Sequence, residues 1–125
     1  MPSDFIHEMR AYREVCINCR LSADAQLLYV QLFLDANAAF WPEELPWHAR
    51  EYSARMEIPV RRIRRALDEL GEIGLVHASL TNTHHQWVIL SGCVSLLKRM
   101  EFCPEGYRYY TGADRKTLRR LTSPE

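Results

Sequence analysis

Apolar positions recur at helical spacing from the start of the chain. Phe5, Met9, Tyr12 and Cys16 form one stripe, with Glu8, Arg10, Arg13 and Glu14 between them, which predicts a helix over residues 4–19. Ser3 is placed to cap it. The pattern restarts at Leu21-Ser22. Ser22 is a strong N-cap, and Asp24 puts a negative charge in the first turn, where the helix dipole favours it. Ala25, Leu28, Tyr29, Leu32, Phe33 and Ala36 then mark a second buried face, and Asn37 begins the exit. Phe40-Trp41-Pro42 and Leu45-Pro46-Trp47 break the periodicity, since no long helix crosses two prolines, so a loop or a short edge strand is expected.

A third helix is predicted over residues 47–56, with Tyr52 and Met56 inward, ending at the Ile58-Pro59 break. A fourth runs over residues 60–73, followed by Gly74 in a position that suits positive φ. Residues 76–80 and 86–90 read as short strands around the polar turn Thr81-Asn82-Thr83-His84-His85. Beyond Leu90, residues 94–100 suit a helix, Cys103-Pro104-Glu105-Gly106 a turn, and residues 114–121 a short basic helix capped by Asp114. The expected organisation is mainly α with a small β-hairpin. Residues 1–90 form one domain with an N-terminal helix, and residues 91–125 a partly helical, basic extension.

The fourth helix carries the most informative charges. At about 100° per residue, Ile63, Ala66, Leu67 and Leu70 share one face, and Arg61 and Arg65 fall near the opposite side with Arg62 and Arg64 flanking them. Four arginines in the opening turns oppose the helix dipole, at about 0.3–1 kcal/mol each. Stability alone favours Asp or Glu there. A helix that presents its N-terminal residues to nucleic acid favours arginine, whose fork matches guanine and phosphate. In the bland alternative, Arg64 with Asp68 and Arg65 with Glu69 form i,i+4 pairs on a solvated face, which leaves Arg61 and Arg62 unaccounted for.

The run from Glu51 through Tyr52-Ser53-Ala54-Arg55-Met56-Glu57-Ile58-Pro59-Val60 to Leu70, continuing into Ile73-Gly74-Leu75-Val76, resembles the helix-turn-helix of winged-helix regulators. The resemblance covers residues 47–90 without gaps. It implies a winged helix-turn-helix fold with the fourth helix in the major groove. Arg61 and Arg65 would read bases, Arg62 and Arg64 would hold phosphates, and His84 and His85 at the wing tip would bind DNA at a phosphate or the minor groove, the alternative being a plain polar turn. Glu57 stands where that turn usually has Gly, and Pro59 where a small N-cap residue is usual. A wider similarity spans residues 5–90. Phe5-Ile6-His7-Glu8-Met9-Arg10-Ala11-Tyr12, Leu21-Ser22-Ala23-Asp24-Ala25-Gln26-Leu27-Leu28-Tyr29 and Trp41-Pro42-Glu43-Glu44 look like the opening of phage DnaD-like replication-initiation proteins, the replisome organisers. That likeness implies origin binding and a replication or host protein partner. Transcriptional regulation is the neighbouring possibility.

Charge sharpens the alternatives. Sixteen basic and sixteen acidic side chains give zero formal net charge, which argues against indiscriminate coating of nucleic acid. Residues 1–58 hold five arginines against nine acids, and residues 91–125 hold seven basic residues against four acids. A rival reading is therefore a winged-helix protein-interaction module, an adaptor or inhibitor from a mobile element that does not bind DNA. A homodimer would supply two half-sites, with the terminal helices as candidate contacts. Tyr107, Arg108, Tyr109 and Tyr110 suit single-stranded nucleic acid, a dimer contact, or a tail folded back on the domain.

Other chemistry is sparse. Cys16-Ile17-Asn18-Cys19 is a C-x-x-C, but Cys93 and Cys103 stand too far apart for the usual second pair of a structural zinc site, so no metal is expected. Trp41 and Trp47 suit core packing or a partner surface better than base stacking. There is no phosphate-cradling Gly loop, no H-E-x-x-H and no nucleophile elbow, so neither enzyme activity nor a cofactor is expected. Met1-Pro2-Ser3-Asp4 lacks a signal-peptide pattern and no run of apolar residues is long enough to span a bilayer, so the expectation is a cytoplasmic protein without a membrane partner.

Overall fold

A computed structural model describes residues 5–102. It is mainly helical with a small three-stranded antiparallel sheet. The elements are α1 (Phe5–Asn18), α2 (Ala23–Ala38), β1 (Leu45–Pro46), α3 (Ala49–Met56), α4 (Val60–Glu72), β2 (Val76–Ser79), β3 (Trp87–Leu90) and α5 (Cys93–Phe102). The expected Ser3 cap, the turn after Cys103, the tyrosine cluster and the helix over residues 114–121 lie outside the described residues.

Helix α2 is the centre of the core. Leu28, Tyr29, Leu32 and Phe33 are fully buried, and they join Val15 of α1, Ile63 and Leu70 of α4, and Leu96 of α5 in one cluster. α2 packs on α4, and α1 packs on α5. Ser22 caps α2 as the sequence predicts, its Oγ accepting from Ala25 N at 3.1 Å. The reciprocal half of this cap comes from across the core. Ser22 N and Ser22 Oγ both donate to the buried Glu69 carboxylate of α4, each at 2.7 Å. Glu69 thus does what a glutamate on α2's own first turn does in a capping box.

Helix α3 starts later than expected because Trp47 is still extended. Its N–H donates to Gln86 O at 2.9 Å, prolonging the pairing of β1 with β3. Its buried indole stacks on Tyr52 at 5.1 Å. Tyr52 Oη donates to Asp35 Oδ2 at 2.7 Å, and Arg55 donates to the same carboxylate, which ties α3 to α2.

The turn between α3 and α4 is tight. Glu57 takes the left-handed conformation at φ 55° and ψ 43°, which costs a non-glycine residue about 1 kcal/mol. Ser53 steadies it by donating from Oγ to Ile58 O at 2.5 Å. At the other end of α4, Gly74 has φ 82°. Gly74 N bonds to Gly71 O and Leu75 N to Leu70 O, which is a Schellman ending with Leu75 buried.

The expected hairpin is a three-stranded sheet in the order β1-β3-β2. Val76 pairs with Leu90 and Ala78 with Val88. The short β1 pairs Leu45 with Val88 on the other edge of β3, and Pro46 sits on that outer strand, where its missing N–H costs least.

The packed body also continues past residue 90, where sequence patterning places the end of the domain. Cys93, Leu96 and Met100 of α5 are buried in the same cluster as α1 and α2. The latch is Glu8, which is 3% exposed. Its carboxylate accepts from Cys93 N and, at 3.4 Å, from Val94 N, capping α5 from α1. Among the described residues no helix is long and apolar enough to cross a membrane.

Candidate nucleic-acid interface

Helix α4 sorts its charges by face. Ile63, Ala66, Leu67 and Leu70 are buried, whereas Arg61, Arg64, Arg65 and Asp68 are exposed. The helix opens at Pro59 with no side-chain cap and no acidic residue in its first turn, so no acid of the helix's own opening turn offsets the arginines at the positive end of the dipole.

Arg62 leaves this group. It lies on the flank facing α2, where Nε and Nη2 donate to the two Asp24 oxygens at 2.8 Å each. The guanidinium holds the Asp24 carboxyl below its usual range, chiefly through these hydrogen bonds, and Arg65 adds a weaker electrostatic pull. Arg62, expected to hold phosphate, makes an intramolecular fork in this structure, with its side chain 48% exposed. The expected Arg65–Glu69 pair is likewise replaced, because Glu69 faces inward to Ser22. Of the four arginines, the exposed face therefore keeps three.

The histidines of the β2–β3 turn separate in the same way. His84 N donates to Asn82 Oδ1 at 2.9 Å, which fixes the turn. The His84 side chain lines an open cleft of about 280 Å³ together with Arg64, Gln86, and His48 and Arg50 from the start of α3. His85 is absent from that lining: its Nε2 lies 3.1 Å from Glu44 Oε1, and the pair lines a smaller adjoining cleft that His48 and His84 also border. Arg64 and His84, twenty residues apart, thus share one concavity.

His48 and Arg50 were missed by sequence reasoning, although both stand at the opening of the predicted third helix. Trp47 is core, and Trp41 is half-buried with its ring edge-on to Phe33 at 5.0 Å, so neither offers a base-stacking platform. Cys19 and Cys93 are buried and Cys16 is half-buried, while Cys103 lies outside the described residues. Among the described residues no group of three or more His, Cys, Asp or Glu side chains is arranged to hold a metal.

Arg61, Arg64 and Arg65 thus offer exposed anion donors on α4, and Arg64 shares its cleft with Arg50. Comparison with known protein families, with curated proteins and with solved structures finds no match to this chain.

Proposed function

We propose that this chain is a winged helix-turn-helix protein that binds duplex DNA. In this reading α4 enters the major groove and the β2–β3 turn is the wing that follows the adjacent backbone. Three features support the fold. A left-handed residue joins α3 to α4, the chain passes from α4 directly into β2–β3, and β1 completes the sheet in the order β1-β3-β2. The observation that carries the function is the exposed α4 face, where Arg61, Arg64 and Arg65 stand together in the opening turns and the exposed acids, Asp68 and Glu72, follow toward the other end. Arg61 and Arg65 are assigned to base edges and Arg64 to phosphate. By its resemblance to DnaD-like initiators, the setting is replication initiation in a phage or mobile element, with transcriptional regulation as the neighbouring role. The protein acts by binding rather than catalysis.

The test is Arg65→Ala, alone and with Arg61→Ala, on a selected DNA site. Each change is expected to weaken specific binding by about 1–3 kcal/mol and to relax base preference. Unchanged affinity in the double variant contradicts the assignment.

A second reading, a protein-interaction module, draws on Phe40. Its side chain is 91% exposed and its backbone is left-handed at φ 60°. A strained, solvated aromatic is costly to keep without a use. Retained DNA binding in Phe40→Ala together with loss of a captured partner would assign that residue to the second role.

A further inference from the structure

The cleft beside α4 has an unusual lining. Three elements converge on it: the start of α3 with His48 and Arg50, the exposed face of α4 with Arg64, and the β2–β3 turn with Thr83, His84 and Gln86. Among the described residues no carboxylate lines it. Of the nearby acids, Glu51 pairs with Arg55 at 3.3 Å, Asp68 is exposed one turn along α4 from Arg64, and Glu44, paired with His85 at 3.1 Å, lines a smaller adjoining cleft that shares His48 and His84. His48 occupies the N-cap position of α3, yet its ring makes no capping hydrogen bond, so the helix end it guards is not closed by a side chain. Two permanent cations, two imidazoles and a helix N-terminus therefore face one solvent-filled concavity.

We infer that this cleft seats a backbone phosphate of bound duplex DNA, and that protonation of His48 and His84 completes the site, so that DNA binding tightens as pH falls. The inference rests on the DNA-binding reading above and adds a place and a regulation to it. Arg50 and Arg64 supply charge at every physiological pH. Imidazole is the side chain that gains a proton, and with it a second donor and a positive charge, within the range a cell experiences. An anion against it favours the charged form, and by linkage the complex takes up protons that the free protein does not hold. His85 is paired with Glu44, and both face the adjoining cleft that His48 and His84 share. His77 stands outside this coupling, exposed on β2 with its ring against Trp87 at 5.8 Å.

The experiment measures anisotropy of the full chain on labelled duplex DNA at fixed ionic strength, between about pH 5.5 and 8. Wild type, a His48→Gln/His84→Gln double variant and His77→Gln are compared. Wild-type affinity is expected to fall as pH rises, about tenfold for each histidine whose pKa climbs one unit on binding. The double variant is expected to show a flat profile, and His77→Gln the wild-type one. Both targeted histidines are exposed, so folding is not at stake. Arg50→Gln gives a second readout, with weaker binding at every pH and a salt slope lower by about one. A pH slope untouched by the double substitution overturns this inference alone. Absence of DNA binding by wild type at every pH overturns the DNA-binding reading with it.

Discussion

Arg62 of α4 grips Asp24 of α2 through two 2.8 Å hydrogen bonds, and this fork removes one arginine from an otherwise basic helix face. The pair is exposed enough for solvent and salt to screen it, so its main consequence is electrostatic placement rather than stability. Asp24→Asn releases Arg62 and also removes a negative charge that Arg65 senses. The expected outcome is tighter DNA binding, with a salt slope steeper by about one contact. Anisotropy across a salt series checks it, and weaker binding in the variant contradicts the placement of this flank at the interface.

Glu69 is a second cross-helix device, and here stability is at issue. Its carboxylate takes both the N–H and the hydroxyl of Ser22 while nearly buried. Glu69→Ala leaves both donors without that acceptor, a loss of about 1–3 kcal/mol. A lower denaturation midpoint with an unchanged denaturant slope is the expected result.

The Glu8 latch makes a prediction about α5. Glu8→Ala removes the carboxylate that accepts from Cys93 N and Val94 N. The expected effect is fraying of α5 at its start and faster modification of Cys93, which is fully buried in the native fold. Thiol-labelling kinetics followed by mass spectrometry measure this, with Cys19 as the internal reference. An unchanged labelling rate means α5 is held by its apolar face alone.

Stability is expected to fall in alkali. Burial pushes the Cys19 thiol up from 9.0 to about 12, and it pushes the Cys93 thiol in the same direction. Above pH 9 the unfolded chain releases protons that the folded chain retains. The unfolded state then binds fewer protons, so unfolding free energy declines with rising pH. The contribution is complete below about pH 9 and is lost as pH climbs through about 12. Chemical denaturation at several alkaline pH values checks the slope, and Cys19→Ala is expected to reduce it, Cys93 keeping its share.

Local signals in the sequence found most of the helices. Ser22, Gly74 and the Ile63-Ala66-Leu67-Leu70 stripe place α2 and α4 to within a residue or two, because capping, positive φ and periodicity act over a few residues. The pairings that lay beyond reach are all distant in the chain. Leu45 joins Val88, Glu8 reaches Cys93, and Ser22 meets Glu69, and no local pattern records any of these. Glu69 and Glu8 read as surface acids in sequence, since a buried carboxylate is rare and its partner here is a distant helix end. The arginine face was legible as a face, but the loss of Arg62 to Asp24 was not, because helical spacing fixes a direction and not what stands there. The cleft was half legible. His84 stood out in the turn, whereas His48 and Arg50 needed the fold to bring α3 beside it.

The most direct test of the account is the affinity of the purified chain for random duplex DNA across a salt series. Each phosphate neutralised contributes about −0.9 to the logarithmic slope, so three contacts weaken binding roughly 40-fold on a fourfold rise in salt. A slope at least that steep is expected, and it flattens when Arg64, the arginine assigned to phosphate, is replaced by alanine. No binding at low salt contradicts it and transfers the exposed α4 face to a protein partner.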